Sequence, residues 1–197
     1  MIDRRLLIML YVALYVMLTL TDAWTTALGL SAGAREFNHH VSSDDGLTVR
    51  WGVFALVNAL VLAATAAIFG WALARIDRID PRYLREPWRA SMNWLLYLNP
   101  FSARNQPRSV LHYVALPLAL LAAKAVASTN NLLIALHLPD VVTPIAHAVL
   151  EKVDGVAGYW AVIFIIGTPS WVASLYATAA WLRRRNQGIA PKAVAPP

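Results

Sequence analysis

The chain has 197 residues, of which 58% are hydrophobic and 14% are charged, with a formal net charge of +6 and a mean hydropathy of +0.51. A typical soluble domain is about 45–50% apolar and about 25% charged, so this composition excludes a disordered chain and argues against a soluble enzyme. The absence of cysteine excludes disulfide bonds, thiolate metal sites and cysteine nucleophiles.

Four apolar stretches are long enough to cross a bilayer as helices, which takes about 20 residues each. We predict spans at about 6–30, 51–74, 110–136 and 156–182. Because none of them alternates as barrel strands do, the predicted fold class is an all-α membrane protein with four transmembrane helices and short interfacial helices. Residues 1–185 form a single predicted domain, and the polar, proline-bearing residues 186–197 are a predicted disordered tail.

Basic residues are distributed unevenly around these spans. Of the 17 Lys and Arg residues, two precede the first span, seven lie in the loop 75–109 and four follow the last span. The positive-inside rule therefore predicts that both termini are cytoplasmic. It also explains the net charge, so we predict no nucleic-acid partner. Arginine greatly outnumbers lysine and alanine is abundant, which favours a bacterial inner membrane.

Two connecting segments have the composition of short helices. In the predicted cytoplasmic loop, residues 88–101 combine aromatic and basic residues, which predicts an interfacial helix that ends at Asn99-Pro100. This helix either lies on lipid or serves as a docking surface for a partner protein. In the second outer loop, Thr143 is a predicted helix cap with Pro144 at the first helical position.

Two charged residues lie within predicted spans, at a cost of about 2.5–3.5 kcal/mol each on insertion scales. Helix lengths allow Asp22 and Lys124 to reach the same membrane level, and we predict an ion pair between them. Other polar residues near this level complete a predicted intramembrane cluster of Asp22, Thr26, Asn58, Lys124, Ser128 and Asn131. The cluster either joins helices by hydrogen bonds or forms an outward-open polar pocket for a substrate, ion or proton.

Histidines and carboxylates gather at the predicted outer side. Glu36 and His39 have E-x-x-H spacing, and His147 and Glu151 are four residues apart, so each pair would share a helical face. Such groups bind zinc, iron or copper, although solvated loop polarity is the simpler interpretation. The candidate ligands of a divalent metal are Glu36, His39, His40, His147 and Glu151. No other cofactor is predicted.

Residues 22–38 resemble the signature of a family of small bacterial integral membrane proteins of unknown function. Members carry an Asp and a Thr late in the first span, then Gly-Ala-x-Glu-x-Asn-Pro, often with a lysine in a later span. The matching residues are Asp22, Thr26, Gly33, Ala34, Glu36, Asn38 and Lys124, whereas His39 replaces the proline. The resemblance implies a helical membrane fold with a polar Asp/Glu/Asn/Lys cluster and assigns no reaction.

The small size, the aromatic and basic cytoplasmic loop and the lack of a catalytic motif favour an accessory or scaffold subunit of a larger membrane complex. The expected partners are the lipid bilayer and either another protein or further copies of this chain. One alternative is a metal-binding or catalytic protein that uses the outer His and carboxylate groups. Another is a small transporter or ion-conducting protein that uses the layer of Asp22 and Lys124.

Overall fold

The structure, a computed structural model, describes residues 3–33, 42, 48–94, 99–153 and 155–189. These parts of the chain are helices and turns, with one isolated antiparallel bridge between Ser42 and Val49. Within them seven α-helices follow one another, with a 3-10 turn at Ile76–Arg78 between the second and third. The helices are α1 (Arg4–Ser31), α2 (Trp51–Leu73), α3 (Pro81–Arg85), α4 (Pro87–Trp94), α5 (Gln106–Ala135), α6 (Val142–Leu150) and α7 (Gly155–Ile189).

Four of these helices, α1, α2, α5 and α7, are long and apolar enough to cross a membrane, which confirms the predicted all-helical class with four candidate spans. At 1.5 Å per residue even α2, with 23 residues, exceeds the roughly 30 Å of a hydrocarbon core. Large apolar side chains point outward along the bundle, as is typical of surfaces that face lipid. Phe164 is 78% exposed and Leu20 is 66% exposed.

The two ends of the bundle have different surroundings. The end that holds the starts of α1 and α5 also carries the arginine-rich segment 75–109, and we call it the basic end. The opposite end, where α6 connects α5 to α7, we call the α6 end. Helix α5 is central because it packs against α1, α2 and α7.

The hydrophobic core lies at the basic end. Leu111 of α5 and Leu175 of α7 are among the largest side chains that are fully buried. Tyr11 packs edge-on against Phe69 of α2, with ring centroids 5.8 Å apart. The aromatic and aliphatic contacts of four helices therefore meet around the first half of α5.

Two hydrogen bonds join α1 to α2. The hydroxyl groups of Tyr11 and Thr65 are 2.5 Å apart, and the Tyr15 hydroxyl donates to Asn58 Oδ1 at 3.2 Å. Both tyrosines are nearly inaccessible, so each hydroxyl meets the requirement of a buried polar group for a partner. These contacts set the antiparallel register of the two helices.

The segment between α2 and α5 contains two short helices: α4 lies where one interfacial helix is predicted, and α3 precedes it. Asp80 caps α3 by accepting from the Arg82 backbone N–H at 2.8 Å, with Pro81 at the first helical position. A break at Glu86 then separates α3 from α4. Phe101 follows Asn99-Pro100, where the predicted helix ends, and lies in a turn with its ring stacked on that of Tyr113.

Helix α6 forms as predicted but has different caps. Thr143 is inside the helix, and its backbone N–H donates to Asp140 Oδ1 at 2.7 Å. The N–H of Val142 donates to Asn130 Oδ1 of α5 at 3.2 Å. The predicted Thr143 cap is therefore wrong, because two oxygens from outside the helix satisfy its first N–H groups.

Helix α7 begins at Gly155, near the predicted position, and ends later than predicted. At its start, Gly158 is buried, and a Cβ atom there would collide with the carbonyl oxygen of Val153. Only glycine allows the segment after α6 to come this close to α7. At its end, α7 continues to Ile189 and so includes the first residues of the predicted disordered tail, whereas residues 190–197 lie outside the described part of the chain.

Candidate functional site

An ion pair connects α1 and α5 in the α6-end half of the bundle. Lys124 Nζ lies 3.5 Å from Asp22 Oδ2, as the sequence predicts. The two side chains are 14% and 15% exposed, respectively. Because each charge would be costly in the membrane alone, their proximity offsets part of the desolvation of both.

Aromatic rings surround the ammonium group of the pair. Lys124 Nζ lies 5.1 Å from the ring centroid of Tyr15 and 6.0 Å from that of Phe54. Both distances fall within the range of cation–π attraction. The lysine therefore has favourable contacts on α1, on α2 and with the carboxylate.

Amide and hydroxyl groups extend the pair along the same two helices. Asn131 Nδ2 donates to Thr26 Oγ1 at 3.0 Å and lies 3.4 Å from Asp22 Oδ1. Asp22 and Thr26 are one turn apart on α1, so one amide group reaches both. Lys124, Asp22, Asn131 and Thr26 thus form a continuous polar chain.

A pocket of about 290 Å³ lies beside this chain, between α1, α5, α6 and α7. Its polar wall contains Asp22, Thr26, Asn130 and Asn131. Its apolar wall includes Phe54, Val142, Ala146, Leu150, Tyr159, Val162, Ile163, Ile166 and Gly167. The described residues that line the pocket include Asp22 but not Lys124.

The structure brings together only part of the predicted intramembrane cluster. Asp22, Thr26, Lys124 and Asn131 are joined by the contacts above. Asn58 instead accepts from Tyr15 and donates to the Phe54 carbonyl at 2.9 Å, within the interface of α1 and α2. Ser128 is buried, and its hydroxyl has no hydrogen-bond partner among the described residues.

Three of the five predicted metal ligands, Glu36, His39 and His40, lie outside the described residues. His147 and Glu151 are exposed at the end of α6, where the Glu151 backbone N–H donates to the His147 carbonyl. Across the described ranges, no group of three or more His, Asp or Glu side chains is arranged to hold a metal.

Sequence reasoning missed several residues of the site. Asn130 both lines the pocket and binds the first turn of α6 through Val142. Tyr15 and Phe54 contact the ammonium group, and Tyr159 lines the pocket. The one available signal was the adjacent pair Asn130 and Asn131 in an apolar helix, because intramembrane amides need partners.

Comparison with known proteins gives no relative. No protein-family model matches the chain, and neither the curated proteins nor the solved structures contain a significant match.

Proposed function

We propose that this chain is a multi-pass protein of a bacterial inner membrane that binds a small amphipathic molecule in the pocket at the α6 end. The observation that carries the proposal is the carboxylate of an intramembrane ion pair in the wall of a cavity of about 290 Å³. Ionisable residues within a membrane are by default candidates for a functional site. Apolar pockets with a few convergent polar groups are the usual form of small-molecule sites.

Stability alone is a weak explanation for the ion pair. Replacing a buried ion pair with apolar side chains is often neutral or stabilising. The contact of 3.5 Å is also longer than the roughly 2.7–2.9 Å of a strong charge-assisted hydrogen bond. A pair that exists to present polar groups to a ligand accounts for both facts.

Photolabelling tests the proposal in lipid nanodiscs. Three diazirine probes share one eight-carbon chain and end in a hydroxyl, an ammonium or a carboxylate group. A Cβ atom at Gly167 would meet nothing within 4 Å, so Gly167→Phe fills the pocket without a backbone clash. Gly52→Phe is the matched control, because Gly52 is equally unobstructed and does not line the pocket.

We expect at least one probe to label pocket residues in the wild type and in Gly52→Phe, and to lose most of this labelling in Gly167→Phe. Peptide mass spectrometry then locates the modified residues. If none of the three probes gives labelling that Gly167→Phe removes, the proposed binding function is wrong.

We also infer that both termini are cytoplasmic, which makes the α6 end the outer end. The support is the concentration of arginine at the basic end. The chain has no cysteine, so single cysteines introduced at exposed positions report topology cleanly. In intact cells a membrane-impermeant maleimide should label Glu151→Cys and should label Arg104→Cys only after permeabilisation, and the reverse pattern would invert the orientation.

The accessory-subunit role stays a prediction with its own test. Purification in mild detergent followed by mass spectrometry would support it if a larger protein co-purified in stoichiometric amount. The metal alternative likewise stays a prediction, and equimolar metal in the purified protein would support it. Neither result would conflict with a ligand in the pocket.

A further inference from the structure

We infer that the pocket selects a ligand with an uncharged end group that both donates and accepts hydrogen bonds, such as a hydroxyl or a primary amide. The inference rests on the proposed binding function and names the class of its ligand. It follows from two features of the polar wall, its charge and its hydrogen-bonding groups.

The first feature is charge. Asp22 in the pocket wall and Lys124, 3.5 Å from it, compensate each other, so the ion pair gives the site no net charge. A bound ammonium group would leave one positive charge uncompensated in an apolar surrounding, and a bound carboxylate would leave one negative charge. Solvent screening is weak in this apolar surrounding, so an uncompensated charge of either sign is costly. An uncharged end group adds no such charge.

The second feature is the pairing of donors and acceptors. The two contacts of the Asp22 carboxylate, to Lys124 at 3.5 Å and to Asn131 at 3.4 Å, are both long, so its oxygens can accept another hydrogen bond. Asn130 uses Oδ1 to accept from Val142, which makes its Nδ2 group the end that donates. Both residues line the pocket. A hydroxyl group can donate to Asp22 and accept from an asparagine amide.

The remaining wall defines the other half of the ligand. Val142, Ala146 and Leu150 of α6 face aliphatic residues of α7 across the cavity. Among the described residues of α6 and α7 that line the cavity, the Tyr159 hydroxyl is the one polar side-chain group. A volume of about 290 Å³, at the lower end of small-molecule sites, suits a short apolar body with a single polar end.

The three diazirine probes test the selection in the wild-type protein, with Gly167→Phe as the background measurement. We expect half-maximal labelling of the pocket by the hydroxyl probe at a concentration at least about tenfold lower than by the ammonium or carboxylate probe, which corresponds to about 1.4 kcal/mol. Labelling that Gly167→Phe does not remove is subtracted as partition into lipid.

A charge variant then tests the physical reason for the selection. In Lys124→Met, Asp22 loses its internal counter-charge. The preference of the pocket for the hydroxyl probe over the ammonium probe should therefore shift about tenfold or more towards the ammonium probe. Lys152→Met is the matched control, because it removes an exposed lysine at the same end of the bundle and leaves the ion pair intact. The preference of Lys152→Met among the three probes should equal that of the wild type.

The outcomes separate the two proposals. If a charged probe labels the wild-type pocket as strongly as the hydroxyl probe does, and Gly167→Phe removes that labelling, the inferred selection is wrong and the binding function stands. An unchanged preference in Lys124→Met would also overturn the selection. If Lys124→Met does not fold, the wild-type comparison still decides. If no probe gives labelling that Gly167→Phe removes, the binding function itself fails.

Discussion

The basic end and the α6 end of the bundle use the same four long helices in different ways. At the basic end Val110, Leu111 and Ala115 of α5 are completely buried against neighbouring helices. At the α6 end the later turns of α5 line a cavity and present Asn130 and Asn131 to it. The difference suggests that the basic end supplies most of the packing energy. The α6 end can therefore keep an open pocket and an ion pair whose desolvation is costly.

Leu111→Ala should have the largest effect on stability. The side chain is fully buried, and large-to-small changes at such sites cost about 2–5 kcal/mol. Leu118→Ala on the same helix is the control, because Leu118 is 47% exposed and should cost little. Denaturant unfolding in detergent, followed by circular dichroism, measures both. Equal losses would mean that the burial of Leu111 is not the source of its contribution to stability.

Lys124→Met should have the next largest effect. Removal of one partner leaves the Asp22 carboxylate uncompensated, for which about 3 kcal/mol is the expected cost. The double variant Asp22→Asn with Lys124→Met removes both charges and should recover most of the loss. Unfolding in the same detergent compares the single and double variants. A double variant as unstable as the single one would mean that the cost is not electrostatic.

Asn130→Leu should loosen the α6 end without unfolding the bundle. The Val142 N–H loses its acceptor on α5, and an unsatisfied N–H costs about 1–3 kcal/mol. Hydrogen exchange at Val142 should therefore accelerate while exchange in the core of the basic end stays unchanged. Thr129→Val alters the exposed neighbouring residue and is the control. Global acceleration would show that the two ends are not independent.

Asp80→Ala should have the smallest effect, at the basic end. Loss of the cap of α3 lowers the stability by about 1 kcal/mol, and Asp80→Ser should keep most of the stability that the cap provides.

Hydrogen bonds from the Arg82 side chain and backbone lower the pKa of Asp80 below its ordinary value of 3.8. The contribution of the Asp80 carboxylate to stability is therefore complete above the ordinary pKa of 3.8. It is lost as the pH falls through the lower pKa of Asp80 in the folded state. Thermal unfolding at pH 7 and at pH 3 or below checks the expectation. A difference between wild type and Asp80→Ala that does not shrink at low pH would contradict it.

The features that were predictable from the sequence depend on composition and helix length. Span boundaries follow hydropathy, and the pairing of Asp22 with Lys124 follows from the need of each intramembrane charge for a partner. The part of the α6 cap that Asn130 supplies was not predictable, because Asn130 acts from a different helix, 12 residues away in the chain. Asn58 lies near the level of the cluster but bonds to Tyr15, since side-chain direction depends on how helices rotate against each other. The pocket arises from the position of α6, which no residue pattern specifies.

The two hydrogen bonds between α1 and α2 have a consequence for biogenesis. Tyr11 with Thr65, and Tyr15 with Asn58, connect the first two candidate spans, which leave the ribosome before α5 is synthesised. In hydrocarbon these polar groups have no water to bind, so they favour association of the two helices as soon as both are inserted. An early helical hairpin of fixed register would then give α5 a preformed surface on which to assemble.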